Sequence, residues 1–158
     1  MPDGSAVAGA SQLARPLRRY GAAIRRRLDM LAVIAVGGAL GALARYALYL
    51  AMPTRAGHFP WGTFLTNVSG SAALGLLLVV VDRLTAHRYV RPFLGTGVIG
   101  AYTTFSTYAV EADLLIRDGH PGLAAGYVFG SLVAGLAAVW LGIVTGRRLT
   151  RRAVEVIR

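Results

Sequence analysis

The run GTGVIGAYTTFSTY, residues 95–108, decides how this chain folds. It sits inside an almost uncharged stretch from Pro92 to Val110, long enough to cross a bilayer, yet it encodes helix weakly. Each of Gly95, Gly97 and Gly100 costs about 1 kcal/mol relative to Ala, and Thr and Ser are mediocre helix formers. A helix broken at bilayer depth must have its freed backbone groups satisfied by protein, water or an ion. Freed carbonyls are hard oxygen ligands, suited to a small cation such as sodium. Glu111 lies one turn beyond Thr107, placed to accept a bond from a polar track or to couple to protons.

Three more stretches are almost free of charge: Met30 to about Met52, interrupted by Arg45; Ala56 to Val81; and Gly119 to Gly146. Each holds roughly 20 residues or more, and a rise of about 1.5 Å per residue carries that across the ~30 Å hydrocarbon core. The reading is an all-α integral membrane protein with four transmembrane helices, at about 30–52, 61–81, 92–116 and 121–145, the third of them broken. Pro60 and Pro92 open the second and third helices, at first-turn positions where a backbone donor is spare. Residues 1–27 form an Arg-rich cytoplasmic arm expected to lack regular structure, 28–146 the transmembrane domain, and 147–158 a basic C-terminal tail.

Composition agrees. Of 158 residues 55% are hydrophobic and 15% charged, and mean hydropathy is +0.55; an average soluble domain is about 25% charged. All 17 basic residues are Arg, against 7 acids, for a net charge of +10. In a soluble protein that balance points to nucleic acid, but these arginines avoid the apolar stretches and crowd their flanks, so no nucleic-acid partner is expected. The absence of Cys removes disulfides, thiolate metal sites and thiol nucleophiles together. No catalytic residues are assigned, and the chain is not read as an enzyme.

The arginines fix orientation. The N-terminal arm holds six, the middle loop three (Arg83, Arg88, Arg91) and the C-terminal tail five, fourteen on one side; Arg55 and Arg117 lie on the other. Positive charge stays inside, so both termini are expected in the cytoplasm.

Polar residues retained in hydrocarbon mark either helix packing or a pathway. Thr63, Asn67 and Ser71 recur every four residues on one face of the second helix. Thr63 and Ser71 are explained almost equally well by packing; Asn67, with four amide bonds to satisfy, is harder to dismiss. Gly37, Gly38, Gly41 and Ala42 give the first helix a face that admits close backbone approach. Arg45, near its outer end, either snorkels to headgroups or lines a vestibule for anions. Tyr127 and Ser131, again four apart, are weaker signals of the same kind.

The pieces GGALGALARY (37–46), GTFLTNVSGSAALG (62–75) and GVIGAYTTFSTYAVE (97–111), in that order, resemble the bacterial fluoride channels called CrcB or Fluc. The resemblance covers about residues 30 to 146. It implies a passive fluoride channel in the bacterial inner membrane that lets cytoplasmic fluoride out down its electrochemical gradient and so confers fluoride resistance. It implies an antiparallel dimer of four-helix subunits with a structural sodium ion at its centre, held by the carbonyls of Gly100 and Thr103. By the same resemblance Phe105 and the residue at 108 present ring edges to fluoride, Asn67 orients the aromatic and donates to the ion, and Thr63, Ser131, Tyr127, Thr107 and Glu111 line the track. The family's usual second Phe is Tyr108 here. The Arg bias fits poorly with one chain inserted both ways, so the expected partner is either a second copy or an oppositely oriented homologue. Two other readings compete. A small-multidrug-type proton-coupled exporter needs a membrane-embedded acid that the first helix lacks after Asp29. A non-conducting partner subunit gives no reason for the aligned polar groups.

Overall fold

The computed structural model describes the backbone of 4–84 and 87–157 and the side chains of 27–82 and 87–151. The order is α1 (Gly4–Ala51), α2 (Trp61–Leu84), a π-helical segment (Pro92–Ile99), α3 (Gly100–Tyr102), α4 (Ser106–Arg117) and α5 (Pro121–Ile157). Three helical spans are long and apolar enough to cross a membrane: Arg27–Ala51, Trp61–Asp82 and Pro121–Arg151. The fourth apolar stretch divides into pieces too short to do so singly, because the helix stops after Tyr102 and restarts at Ser106.

Two helices run past their expected ends. The backbone of α1 continues back to Gly4 through the arm expected to be irregular, and α5 continues through the basic tail to Ile157. Arg, abundant in both extensions, and Ala, abundant in the arm, are among the best helix formers. The side chains of most of the arm and of the end of the tail lie outside the described residues.

Close backbone approach organises the packing in two pairs. α2 packs most extensively on α5: a Cβ at Gly142 would meet the Ala72 carbonyl and stand 2.8 Å from Leu76 N. α1 packs on the π-helical segment and α3, where a Cβ at Gly41 would run into the Val98 backbone, its C atom 2.9 Å away. The small-residue face anticipated on the first helix is thus used against the third stretch. In the π-helical segment the Gly100 N–H reaches back to the Gly95 carbonyl, the i→i+5 pattern that widens a helix and often marks a functional site. At the Arg-rich end, Arg88 pairs with Asp29 and Arg91 with Asp82, both at 3.8 Å, tying the middle loop to α1 and α2.

Candidate functional site

Leaving the helix at Thr103 strands backbone groups, and the site is built from what satisfies them. Thr103 adopts extended backbone, φ −75° and ψ 157°. Its hydroxyl and its N–H both bond the Ile99 carbonyl at 3.0 Å, closing the end of α3. Thr104 is then held by a single side chain from α2. Asn67 Nδ2 donates to the Thr104 carbonyl at 2.9 Å, and the Thr104 N–H donates to Asn67 Oδ1 at 2.8 Å. An amide side chain is suited to this because it offers a donor and an acceptor side by side, as the missing turn of helix would have. Thr104 in turn caps α4: its Oγ1 accepts from the Thr107 N–H at 3.2 Å and donates to Thr107 Oγ1 at 3.0 Å. Asn67 keeps one N–H in reserve for anything passing the break.

Cavities lie on both sides of Thr104. The first, about 280 Å³, is lined by Arg45, Thr54, Thr63, Thr66, Thr104 and Thr107 among others. The second, about 430 Å³ and more open, includes Asn67, Thr104, Phe105, Tyr108 and Ser131 in its wall, with Gly100 and Thr103 at the break. The first gathers one guanidinium, five threonines and the side chains of Tyr46 and Tyr49; the second is the more apolar and sets Phe105, Tyr108 and one unpaired hydroxyl beside Asn67. Ser131 Oγ is buried and, among the described residues, has no hydrogen-bond partner. Buried polar groups are nearly always bonded, so a free one in a cavity wall calls for a ligand or water.

The structure thus divides the residues singled out by sequence. Arg45, Thr63 and Thr107 line the first cavity, and Asn67, Gly100, Thr103, Phe105, Tyr108 and Ser131 the second. Arg45 does not run outward along the helix: its Nη1 donates to the Thr103 carbonyl at 3.3 Å. Phe105 is 80% exposed and touches Tyr108, ring centroids 5.9 Å apart. The Tyr108 hydroxyl donates to the Val128 carbonyl at 3.0 Å, so it is spent on α5 while the ring remains in the cavity wall. Tyr127 and Glu111 lie behind these walls. Tyr127 is fully buried between the rings of Phe59 and Tyr108, and its hydroxyl donates to Glu111 Oε2 at 3.0 Å.

Among the lining threonines, Thr54, Thr66 and Thr104 are given no pathway role by the sequence reading. Thr104 had a legible signal, a hydroxyl residue three before Thr107 at a helix restart, which is the pattern of an N-terminal cap. Thr66, which spacing puts with Gly62, Gly70 and Gly75 near a neighbouring face of the helix, bonds the Gly62 carbonyl at 2.8 Å within its own helix. Thr54 sits in a connection and has no local signal at all.

The sodium expectation can be tested on the carbonyls. The Thr104 N–H that would close the helical ladder onto Gly100 goes to Asn67 instead, and the Thr103 carbonyl accepts from the Arg45 side chain of α1. Both are hard oxygens of the kind a small cation takes, but the Arg45 guanidinium stands on the Thr103 carbonyl at 3.3 Å, so a cation there would require Arg45 to withdraw. Two carbonyls under-coordinate an ion, so further oxygens would have to complete a filled site.

A bundle of apolar helices interrupted by a side-chain-pinned break, with donor-lined cavities on either side, defines a membrane protein built to pass a small solute. Residues 32–143 match the family described as CrcB-like protein, Camphor Resistance (CrcB), and the chain belongs to that family. It is 52% identical over 132 residues to a protein of Streptomyces avermitilis named fluoride-specific ion channel FluC 3, covering 83% of this chain and 65% of that relative. It is 47% identical to fluoride-specific ion channel FluC 1 of Streptomyces coelicolor, over 80% of this chain and 83% of the relative. A second Streptomyces avermitilis relative, fluoride-specific ion channel FluC 2, is 49% identical over 74% of each chain. The chain is a multi-pass membrane protein and not an enzyme.

Proposed function

We propose that the chain is a subunit of a fluoride-selective channel that releases cytoplasmic fluoride passively, giving fluoride resistance. The observation that carries this reading is the unpartnered Ser131 hydroxyl in a cavity wall that also holds Asn67 and the rings of Phe105 and Tyr108. Fluoride is small and strongly hydrated, so a selective path must replace its water with many donors. Hydroxyls, an amide N–H and the positive edges of aromatic rings do that without binding larger halides equally well. A negative cell interior drives the anion outward by about 2.3 kcal/mol per 100 mV, and no coupling to another gradient is required.

In this reading Pro92–Arg117 is a fourth crossing, broken at Thr103–Phe105, with both termini in the cytoplasm of the inner membrane. Arg45 and the threonines of the first cavity gather or release the anion; Asn67, Phe105, Tyr108 and Ser131 carry it past the break. The Gly100 and Thr103 carbonyls would hold a structural sodium ion, whose charge offsets the anion's close by, together with the same pair from an antiparallel partner. That partner is a second copy or an oppositely oriented homologue. The fourteen-to-two Arg distribution favours the homologue, as does the presence of two differently numbered relatives in Streptomyces avermitilis. Proton-coupled export is disfavoured: both oxygens of Glu111 already accept hydrogen bonds.

Fluoride-electrode recording of efflux from liposomes tests the proposal, with the chain alone and with an oppositely biased relative. Release of fluoride but not chloride is expected. Vesicles no leakier to fluoride than empty ones under both conditions would overturn it.

A further inference from the structure

The connection between α1 and α2 carries a contact that the channel reading does not use. Thr54 Oγ1 donates to Glu111 Oε1 at 3.3 Å, across 57 residues of sequence. With Tyr127 donating to Oε2 at 3.0 Å, each carboxylate oxygen receives one hydroxyl. Both oxygens of the Glu111 side chain are thus held, one from the α1–α2 connection and one from α5. Glu111 is 9% exposed, and Thr54 and Thr107, one turn before Glu111, both line the Arg45 cavity. A carboxylate left free to swing into that cavity would repel the anion the cavity is proposed to admit.

The connection is seated firmly enough to do this. Gly57 has φ 71°, in the left-handed region, and His120 of the α4–α5 turn occupies the space a Cβ would need, its Nε2 2.8 Å away. His58 closes a turn back onto the Arg55 carbonyl at 3.1 Å. Phe59 stacks edge-on against Tyr127, centroids 5.3 Å apart, so the same connection that brings one donor to Glu111 braces the other.

We infer that Thr54 is a positioning residue for the anion path: its hydroxyl tethers the Glu111 carboxylate against the bundle wall and keeps that charge out of the Arg45 cavity. The inference rests on the channel reading for its consequence and on the Thr54–Glu111 contact for its geometry, and the two can be separated. In the full chain in liposomes, with whatever partner the parent needs, Thr54→Val should slow fluoride efflux by up to about tenfold, the most that one net hydrogen bond is ordinarily worth. Thr54→Ser, which keeps the hydroxyl, should restore it. In Glu111→Gln, which has no charge to restrain, adding Thr54→Val should change efflux little further. Independently of flux, the infrared carboxylate band that disappears in Glu111→Gln should shift in Thr54→Val. Parental efflux in Thr54→Val, or an unmoved carboxylate band, overturns the inference. If the parent passes no fluoride, the channel reading fails, and the infrared band alone still decides whether the tether exists.

Discussion

The α2–α5 pair and the broken stretch on α1 meet the same requirement, satisfied backbone in an apolar solvent, by opposite means. In α2 and α5 every turn closes on itself, and what joins the helices is the absence of side chain at positions such as Gly142. In the stretch from Pro92 to Arg117 the ladder is interrupted, and a single side chain from α2 replaces it: Asn67 at Thr104. The first arrangement tolerates a missing polar group and fails on an added methyl. The second tolerates little change in polarity but leaves room on both sides, and the cavities are there. A rigid pair thus serves as the wall against which a weak stretch can be held open.

The largest effect should come from breaking the pin. Asn67→Leu leaves the Thr104 N–H and carbonyl unpaired, at about 1–3 kcal/mol for each buried group. Both thermal unfolding in detergent and fluoride efflux should collapse. Asn67→Asp can still accept from the Thr104 N–H, but it offers no donor to the Thr104 carbonyl and adds a charge, so efflux should fall further than stability. A leucine variant that unfolds and conducts like its parent would remove Asn67 from the account of the break.

Next comes a change that should separate conduction from folding. Phe105 is largely exposed and its ring meets Tyr108 alone among the described aromatic rings. Phe105→Ile should therefore cut efflux by tenfold or more through loss of a ring edge, while unfolding shifts by no more than about 0.5 kcal/mol, as for an exposed site. Equal losses in both measurements would make Phe105 a packing residue of the single chain. On the rigid pair the split should reverse. Gly142→Ala places a methyl against the Ala72 carbonyl, and overpacking of this kind costs about 1–3 kcal/mol. Unfolding should move first, with efflux lost only in proportion to folded protein.

The same contrast explains what was legible in the sequence. The three long apolar helices, the close-packing glycines of α1 and the weak helix at 95–108 are local properties of composition and spacing, and the structure has them there, although α1 and α5 run on past their expected ends. The partners of the polar groups are not local. Asn67 meets Thr104 across 37 residues and Thr54 meets Glu111 across 57, and no periodicity encodes which donor meets which acceptor once the chain turns back. Arg45 illustrates the limit: its position suits either headgroups or a vestibule, and nothing local in the sequence brings it to the Thr103 carbonyl. Tyr127 is put on the polar track by the family resemblance, whereas its spacing from Ser131 is a weak signal; its ring packs against Phe59 and Tyr108 and its hydroxyl reaches Glu111, partners that no spacing names.

The smallest effect should come from glycines of α5 that face nothing. At Gly122, Gly126 and Gly130 a Cβ would meet no atom within 4 Å, and the nearby Phe129, Val133 and Leu136 are more than half exposed. These glycines share a helix with Gly142 but none of its constraint. Gly126→Ala should leave the thermal unfolding of a monomeric subunit in detergent within about 0.5 kcal/mol of the parent, since it touches no feature of the fold. If the proposed partner lies over this surface, the same substitution should weaken association, measured as the dimer fraction on dilution, while the subunit itself stays intact. A glycine silent in the subunit and costly in the assembly would place on α5 the same kind of close backbone contact that Gly142 makes inside the chain. One silent in both would assign the partner to another face.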